Sequence, residues 1–389
     1  MKQIGCLMRV LIISVLLIML LPFSARAEEP GTMVDIYTLL EEQLDAIGRD
    51  ELMDQVPEAT RELMQGEDLY DLSFGSLLQL TPDRFFGALW RMFLHEIHTP
   101  IRVFATMVGI ILLCTLLESL RLGSFDEPLS GVFQTVSVLC ILTSIAMPIL
   151  DCILKTSSTI RSAATFMLSF IPIFSAAMVS SGRPISGSTY SIFLMGVAQL
   201  VSQVIAQTLI PLMAIYLAIC ICGSFVPDLN IVAAVSGIKT AVAWIMGFLL
   251  TVFVALLSIQ SILSHTADGV TVRATKFLIT SLVPVAGNIL SEAFMATQGC
   301  LRLLKTTVGV YGIVVAIFTF MPLLIHVGVW MAITRAVAVI SDVMGVARVS
   351  AILRSCGSVL GVLLSVVLCF ALLLIVSTGV VMVIGMGSV

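Results

Sequence analysis

From residue 100 to its end the chain is a series of long apolar runs joined by short polar stretches. Seven runs fall at about 101–118, 131–150, 190–207, 209–226, 241–263, 308–330 and 356–386. All but the last, which is longer, are close to the roughly 20 residues that a helix needs to cross the hydrocarbon of a bilayer. The apolar residues are continuous rather than alternating, which predicts helices and not barrel strands. Two further segments, 161–182 and 273–292, are equally apolar but carry a proline in mid-course, Pro172 and Pro284, followed by small or polar residues. Proline offers no backbone N–H and crowds the carbonyl four residues earlier. Both segments are therefore predicted to be interrupted.

The two interrupted segments match each other at an offset of 112: Arg161 with Arg273, Ser169 with Ser281, Ile171-Pro172-Ile173 with Val283-Pro284-Val285, and Ser175 with Gly287. Broken helices persist in lipid only against protein or a water-filled space. Paired breaks in two halves of a membrane protein point to a binding site or a conduction path. The candidate path-lining or conformational residues are Ser169, Pro172, Ser175, Ser180 and Gly182, with Ser281, Pro284, Gly287, Asn288 and Glu292. The competing reading is packing, because small residues also let helices approach closely. Re-entrant segments would form an inverted pair, and full crossings a parallel one. A packing role is assigned to Gly357, Gly361 and Ser365, an i, i+4, i+8 ridge of small residues in the last run.

The segment before residue 100 has a different pattern. Lys2 and Arg9, a short apolar core over 10–21 and Ala25-Arg26-Ala27 predict a signal peptide cleaved after Ala27, the alternative being an uncleaved anchor. Residues 28–99 read as short amphipathic helices. Ile36, Leu39, Leu40, Leu44 and Ile47 share a face up to Gly48, and a second helix runs from Pro57 to Gly66. A third, over 82–98, gathers Phe85, Phe86, Leu89, Trp90, Phe93 and Ile97 on one side. It reads either as an interfacial helix with Trp90 among the headgroups or as a core helix of this segment.

Composition sharpens this division. With 59% hydrophobic residues, 11% charged residues and a mean hydropathy of +1.11, the chain cannot be a water-soluble domain. Residues 28–99 hold 16 Asp and Glu against 4 Lys and Arg, whereas residues 100–389 hold 8 against 13. An acidic head thus precedes a mildly basic body, and the basic patch that nucleic acid requires is missing. None of the nine cysteines lies in 28–99, which excludes a disulfide scaffold there. The expected organisation is a signal peptide (1–27), an acidic extracytoplasmic helical domain ending in an interfacial helix (28–99) and a multi-pass membrane domain (100–389). The fold class is all-α: a polytopic α-helical membrane protein with a small helical extracytoplasmic N-terminal domain. With such a head exported, the region 331–355 falls outside the cell as a loop. Its Arg335, Arg348 and Arg354 favour the opposite side.

The sequence yields no enzyme. His95-Glu96-Ile97-His98 has histidines at i and i+3, whereas the zinc-protease pattern needs i and i+4. Cys220-x-Cys222 has no second pair, and its two sulfurs do not face one another on a helix. "LLKTTVG" lacks the glycine cradle of a phosphate loop. No metal, cofactor or paired catalytic group is predicted. Arg161, Lys239, Arg273, Lys276 and Glu292 stand at segment ends, where they either mark an ion or substrate path or snorkel to the headgroups.

With its signal peptide, its acidic head and the ordered set "FIPIFSAAMVSSG" (170–182), "LVPVAGNILSEA" (282–293) and "LLKTTVGVYG" (303–312), the chain resembles the stage III sporulation protein AE family over nearly its whole length. The resemblance implies a multi-pass, channel- or permease-like subunit of a secretion-like complex needed for forespore development. It would lie in the mother-cell-derived outer forespore membrane with its N-terminal domain extracytoplasmic. Implied partners are the other stage III sporulation A-operon proteins, including the AA ATPase and the ring-forming members. Stage II sporulation protein Q, across the intermembrane space, and membrane lipid complete the set. The alternative is a non-conducting scaffold that anchors and assembles that complex. No residue-level role is carried over from the family.

Overall fold

The computed structural model describes residues 42–66 (save 43 and 47), 82–120, 128–181, 184–223, 231–282 and 287–384. The signal-peptide region lies outside them. Within these limits the chain is helical, and six stretches are long and apolar enough to cross a membrane.

Two short helices come first, α1 (Arg49–Asp54) and α2 (Glu58–Gln65). Gly48 precedes α1 at φ 100°, a left-handed conformation natural to glycine, and Pro57 opens α2. Leu52, Val56 and Met64 are buried, while Asp50, Glu51, Asp54, Glu58 and Glu62 remain exposed. The apolar face sits on the membrane body. Thr60 shares a buried 2.9 Å hydrogen bond with Thr319, and Ile173 lies under Gly48.

The expected interfacial helix and the first span are one helix, α3 (Pro82–Leu120), which runs through Pro100. Phe86 and Trp90 stand exposed on its apolar face, and Trp90 stacks on Phe93 with ring centroids 5.7 Å apart. α4 (Pro128–Ser180) is likewise continuous and contains both Pro148 and Pro172. The expected interruption at Pro172 is not there: the helix continues eight residues further. One lost hydrogen bond is tolerable where the flanking turns are gripped, and here they are. Phe166, Phe170 and Phe174 stack successively at 5.7 and 5.4 Å, and all three are buried.

α5 (Pro184–Val204) leads through a π-helical turn, Ile205–Leu209, into α6 (Ile210–Cys222). The sequence pattern predicts two spans here, and the structure forms one continuous stretch. The widened turn makes room for Pro211, which cannot donate to the helix. α7 (Ile231–Leu282) and α8 (Gly287–Val343) flank the second proline motif. α9 (Ala347–Ile384) completes the bundle.

Residues 331–355, expected as a loop, are mostly helix. α8 ends at a tight turn in which Gly345 has φ 79°. The Gly345 and Val346 N–H groups donate to the carbonyls of Asp342 and Ser341, the bonding pattern of a Schellman turn, and Val346 is buried beside it. Arg354 on α9 pairs with Asp342 on α8 across this hairpin. These two charges thus satisfy one another at its tip.

α8 is the central post and packs against α3, α4 and α9. Gly309 and Gly312 on α8 are the seat for the α4 phenylalanines. A Cβ at 309 would stand 3.2 Å from the Phe174 ring, and one at 312 would overlap the Phe170 ring. Two of the sequence motifs, 170–182 and 303–312, therefore meet face to face. Gly357 and Gly361 receive the Arg335 side chain of α8, as a packing ridge should, whereas Ser365 is exposed and bonds back to the Gly361 carbonyl at 2.8 Å.

Candidate functional site

Because α4 does not break, one helical wheel describes its whole outer face. Asp151, Lys155, Ser158, Ser162 and Thr165 are exposed, and Pro172, Ala176 and Ser180 continue the line. Ser169, between them, is half-buried. At about 100° per residue these nine positions fall on one side of the helix. The stripe is about 44 Å long at 1.5 Å per residue, and small or polar side chains make up most of it. Leu154, Leu168 and Val179 are exposed along one edge of it. The hydroxyls of Ser158 and Thr165 donate to the carbonyls of Lys155 and Arg161. Pro172 has no N–H to give the Leu168 carbonyl, and the proline lies on the exposed face. A charged and hydroxylated stripe with an under-supplied carbonyl belongs against water or protein, not acyl chains.

Three of the sequence candidates, Ser169, Pro172 and Ser180, lie on this stripe. Ser175 does not. It is buried on the side facing α5, and its Oγ donates to the Gly187 carbonyl at 2.7 Å. A Cβ on Gly187 would meet Val179 Cγ2 at 2.8 Å and the Ser175 carbonyl oxygen at 3.0 Å. The α4–α5 hairpin is therefore closed by this serine and this glycine, and Tyr190 caps it with an edge-on contact to Phe174 at 5.4 Å. Gly182 and Pro284 lie outside the described residues. Ser281 is on α7, and Gly287, Asn288 and Glu292 open α8, with their side chains outside the description.

The acidic helices border the stripe. α1 covers Ile173, next to Pro172, and α2 meets α8 at Thr319. Residues 306–334 of α8 contain no Asp, Glu, Lys or Arg. A hydrocarbon core takes about 20 residues, so any placement within that stretch includes Thr319. Glu58 and Glu62, within a turn of Thr60, are exposed near that level. Exposed carboxylates at that depth require water beside them.

A group of ionisable side chains that the sequence reading passed over lies at one end of the stripe. Glu96 of α3 and His326 of α8 are 2.7 Å apart, Oε2 to Nδ1. His326 Nε2 faces Asp151 of α4 at 3.5 Å, and Asp151 pairs with Lys155 at 3.0 Å. His326 is 8% exposed and lies in the charge-free part of α8. Two local signals existed: Asp151 and Lys155 stand at i, i+4, and His326 interrupts an apolar run. Elsewhere Cys220 is buried and Cys222 exposed, so the two thiols face different ways.

A bundle of long apolar helices carrying an ionisable group between them defines a polytopic α-helical membrane protein. The sequence model of stage III sporulation protein AE matches residues 67–385, and the chain belongs to that family. It is 24% identical over 240 residues to the stage III sporulation protein AE of Bacillus subtilis (strain 168). That match covers 61% of this chain and 59% of the relative. No solved structure matches the chain.

Proposed function

We propose that this protein is the permease-like subunit of the stage III sporulation complex linking mother cell and forespore, and that the α4 stripe lines its path. The observation that supports this reading is the run of small and polar positions from Asp151 to Ser180, exposed save for the half-buried Ser169 and bordered by Leu154, Leu168 and Val179. The acidic helices beside it would favour cations along it. In this reading the protein sits in the outer forespore membrane after loss of its signal peptide. The segment before α3 reaches toward the intermembrane space and stage II sporulation protein Q, and the A-operon partners, including the AA ATPase, enclose the stripe. The protein performs no covalent chemistry; any energy input comes from the ATPase.

The scaffold reading draws on different observations, the Ser175–Gly187 closure and the phenylalanine seat on Gly309 and Gly312, which hold the bundle rigid. Arginine at Ser169 or Ser180 separates the two. For a path, either substitution blocks forespore development while the protein still recruits its partners. Normal development with arginine at both positions would leave the scaffold as the better account.

A further inference from the structure

We propose that Lys239, Arg335 and Ser358 form a phosphate site for an anionic phospholipid, where α7 and α8 flank α9. The site is independent of the α4 stripe and of whatever passes along it.

Both cations end on one ridge of α9. Lys239 Nζ of α7 lies 3.5 Å from Ser358 Oγ. The stem of Arg335 crosses Gly357, and its Nη2 lies 3.6 Å from where a Cβ on Gly361 would stand. Positions i and i+3 of a helix are neighbours, about 5–6 Å apart. Two positive heads, both exposed, thus rest on neighbouring positions. Among the described residues neither has a carboxylate within ion-pair range. The acid closest to Arg335 in sequence is Asp342, and Arg354 pairs with it. Like charges gathered without a counter-ion repel, and an anion that bridges them removes the repulsion.

The hydroxyls add direction. Buried Tyr216 of α6 donates to Ser358 Oγ at 3.1 Å, and Lys239 donates to the same oxygen. With both lone pairs engaged, Ser358 keeps its own proton for an acceptor. Ser355 and Ser365, on the same helix, give theirs to the carbonyls of Ala351 and Gly361. Among the described residues Ser358 makes no such bond.

Depth identifies the anion. α7 carries no Asp, Glu, Lys or Arg from 240 to 267, α8 none from 306 to 334, and α9 none after Arg354. Lys239, Arg335 and Arg354 bound these stretches at one level, since Arg354 is one turn from Ser358. Charge-free stretches that begin together on three helices mark the headgroup zone. The anion at that level is the lipid phosphate. Lys239, Arg335, Arg348 and Arg354 against Asp342 make this end basic, the bias of a cytoplasmic face, and the cytoplasmic leaflet holds anionic lipid. From the cations the ridge runs inward past Met331, whose sulfur is 3.6 Å from the Gly361 Cβ position, to the exposed Ser365. Its small side chains leave room for an acyl chain.

The test is native mass spectrometry of the full-length protein in detergent, titrated with phosphatidylglycerol or with phosphatidylcholine of the same chains. The proposal requires a first phosphatidylglycerol held about tenfold more tightly than phosphatidylcholine. It also requires Lys239→Gln and Arg335→Gln each to weaken that lipid by about tenfold, the loss of one charge-assisted hydrogen bond. Arg348→Gln, at an exposed arginine of the same end, should leave it unchanged. Equal affinity for the two lipids in the parent overturns the proposal, whether or not the variants fold. So does phosphatidylglycerol binding that survives both substitutions, or an equal loss in Arg348→Gln, which would reduce the effect to net charge. Displacement of the lipid by an excess of inorganic phosphate would make this a site for a free anion and overturn it as well.

Discussion

Ser175 donates its hydroxyl proton to the carbonyl of Gly187, 2.7 Å away, and this bond closes the α4–α5 hairpin. The same pair sets the closest backbone approach in that hairpin, since a Cβ on Gly187 would lie 3.0 Å from the Ser175 carbonyl oxygen. Ser175→Ala removes one buried hydrogen bond and should cost about 1 kcal/mol. Gly187→Val forces the helices apart and should cost more, on the order of 1–3 kcal/mol. Unfolding of the purified protein in detergent, followed by circular dichroism, measures both.

Glycines that seat rings should be intolerant, and glycines that face open space should not. Gly309→Val and Gly312→Val drive a side chain into Phe174 and Phe170. Gly196 has nothing within 4 Å of its would-be Cβ, so Gly196→Val is the matched control. The expected outcome is loss of folded protein at 309 and 312 and near-normal yield at 196, read by size-exclusion chromatography. Equal behaviour at all three positions would contradict the packing described for α4 on α8.

Pro172 sits inside a continuing helix, so restoring an N–H there should not harm the fold. Pro172→Ala returns a donor to the Leu168 carbonyl. It should leave stability unchanged or raise it, by up to about 3 kcal/mol on helix propensity. A protein that unfolds more readily with alanine would mean that the proline is needed as a break.

Much of the bundle was legible from hydrophobic periodicity alone, because apolar runs of sufficient length have few other fates. The joins were not legible. Pro172 reads as a break, and the runs read as separate between 98 and 101 and between 207 and 209, yet the helix continues through all three places, the last by a π turn. That error hid the stripe. With a break assumed at Pro172, residues on either side could not be placed on one wheel, and Ser175 was grouped with Ser169 and Ser180 although it points elsewhere. Glu96 was seen only as part of a failed zinc pattern. Its partner His326 is 230 residues away, and no local spacing announces a pairing of that separation.

The turn between α8 and α9 depends on a left-handed residue. Gly345 at φ 79° lets the Val346 N–H reach the Ser341 carbonyl. Gly345→Ala should destabilise by about 1–2 kcal/mol, because a Cβ clashes in that conformation, and Gly345→Asn by less. Thermal unfolding of the three proteins under one set of conditions gives the ranking.

The stripe itself is most directly tested by cysteine scanning of α4 in a background without native cysteines, in cells where the sporulation complex has assembled. If the stripe faces water, cysteines at 158, 165, 169, 172, 176 and 180 react with a charged, membrane-impermeant maleimide, and those at 160, 163, 167, 171 and 178 do not. Labelling of the first set only by a lipid-soluble maleimide, with the charged reagent excluded from every position, would place that face in the bilayer and contradict the path.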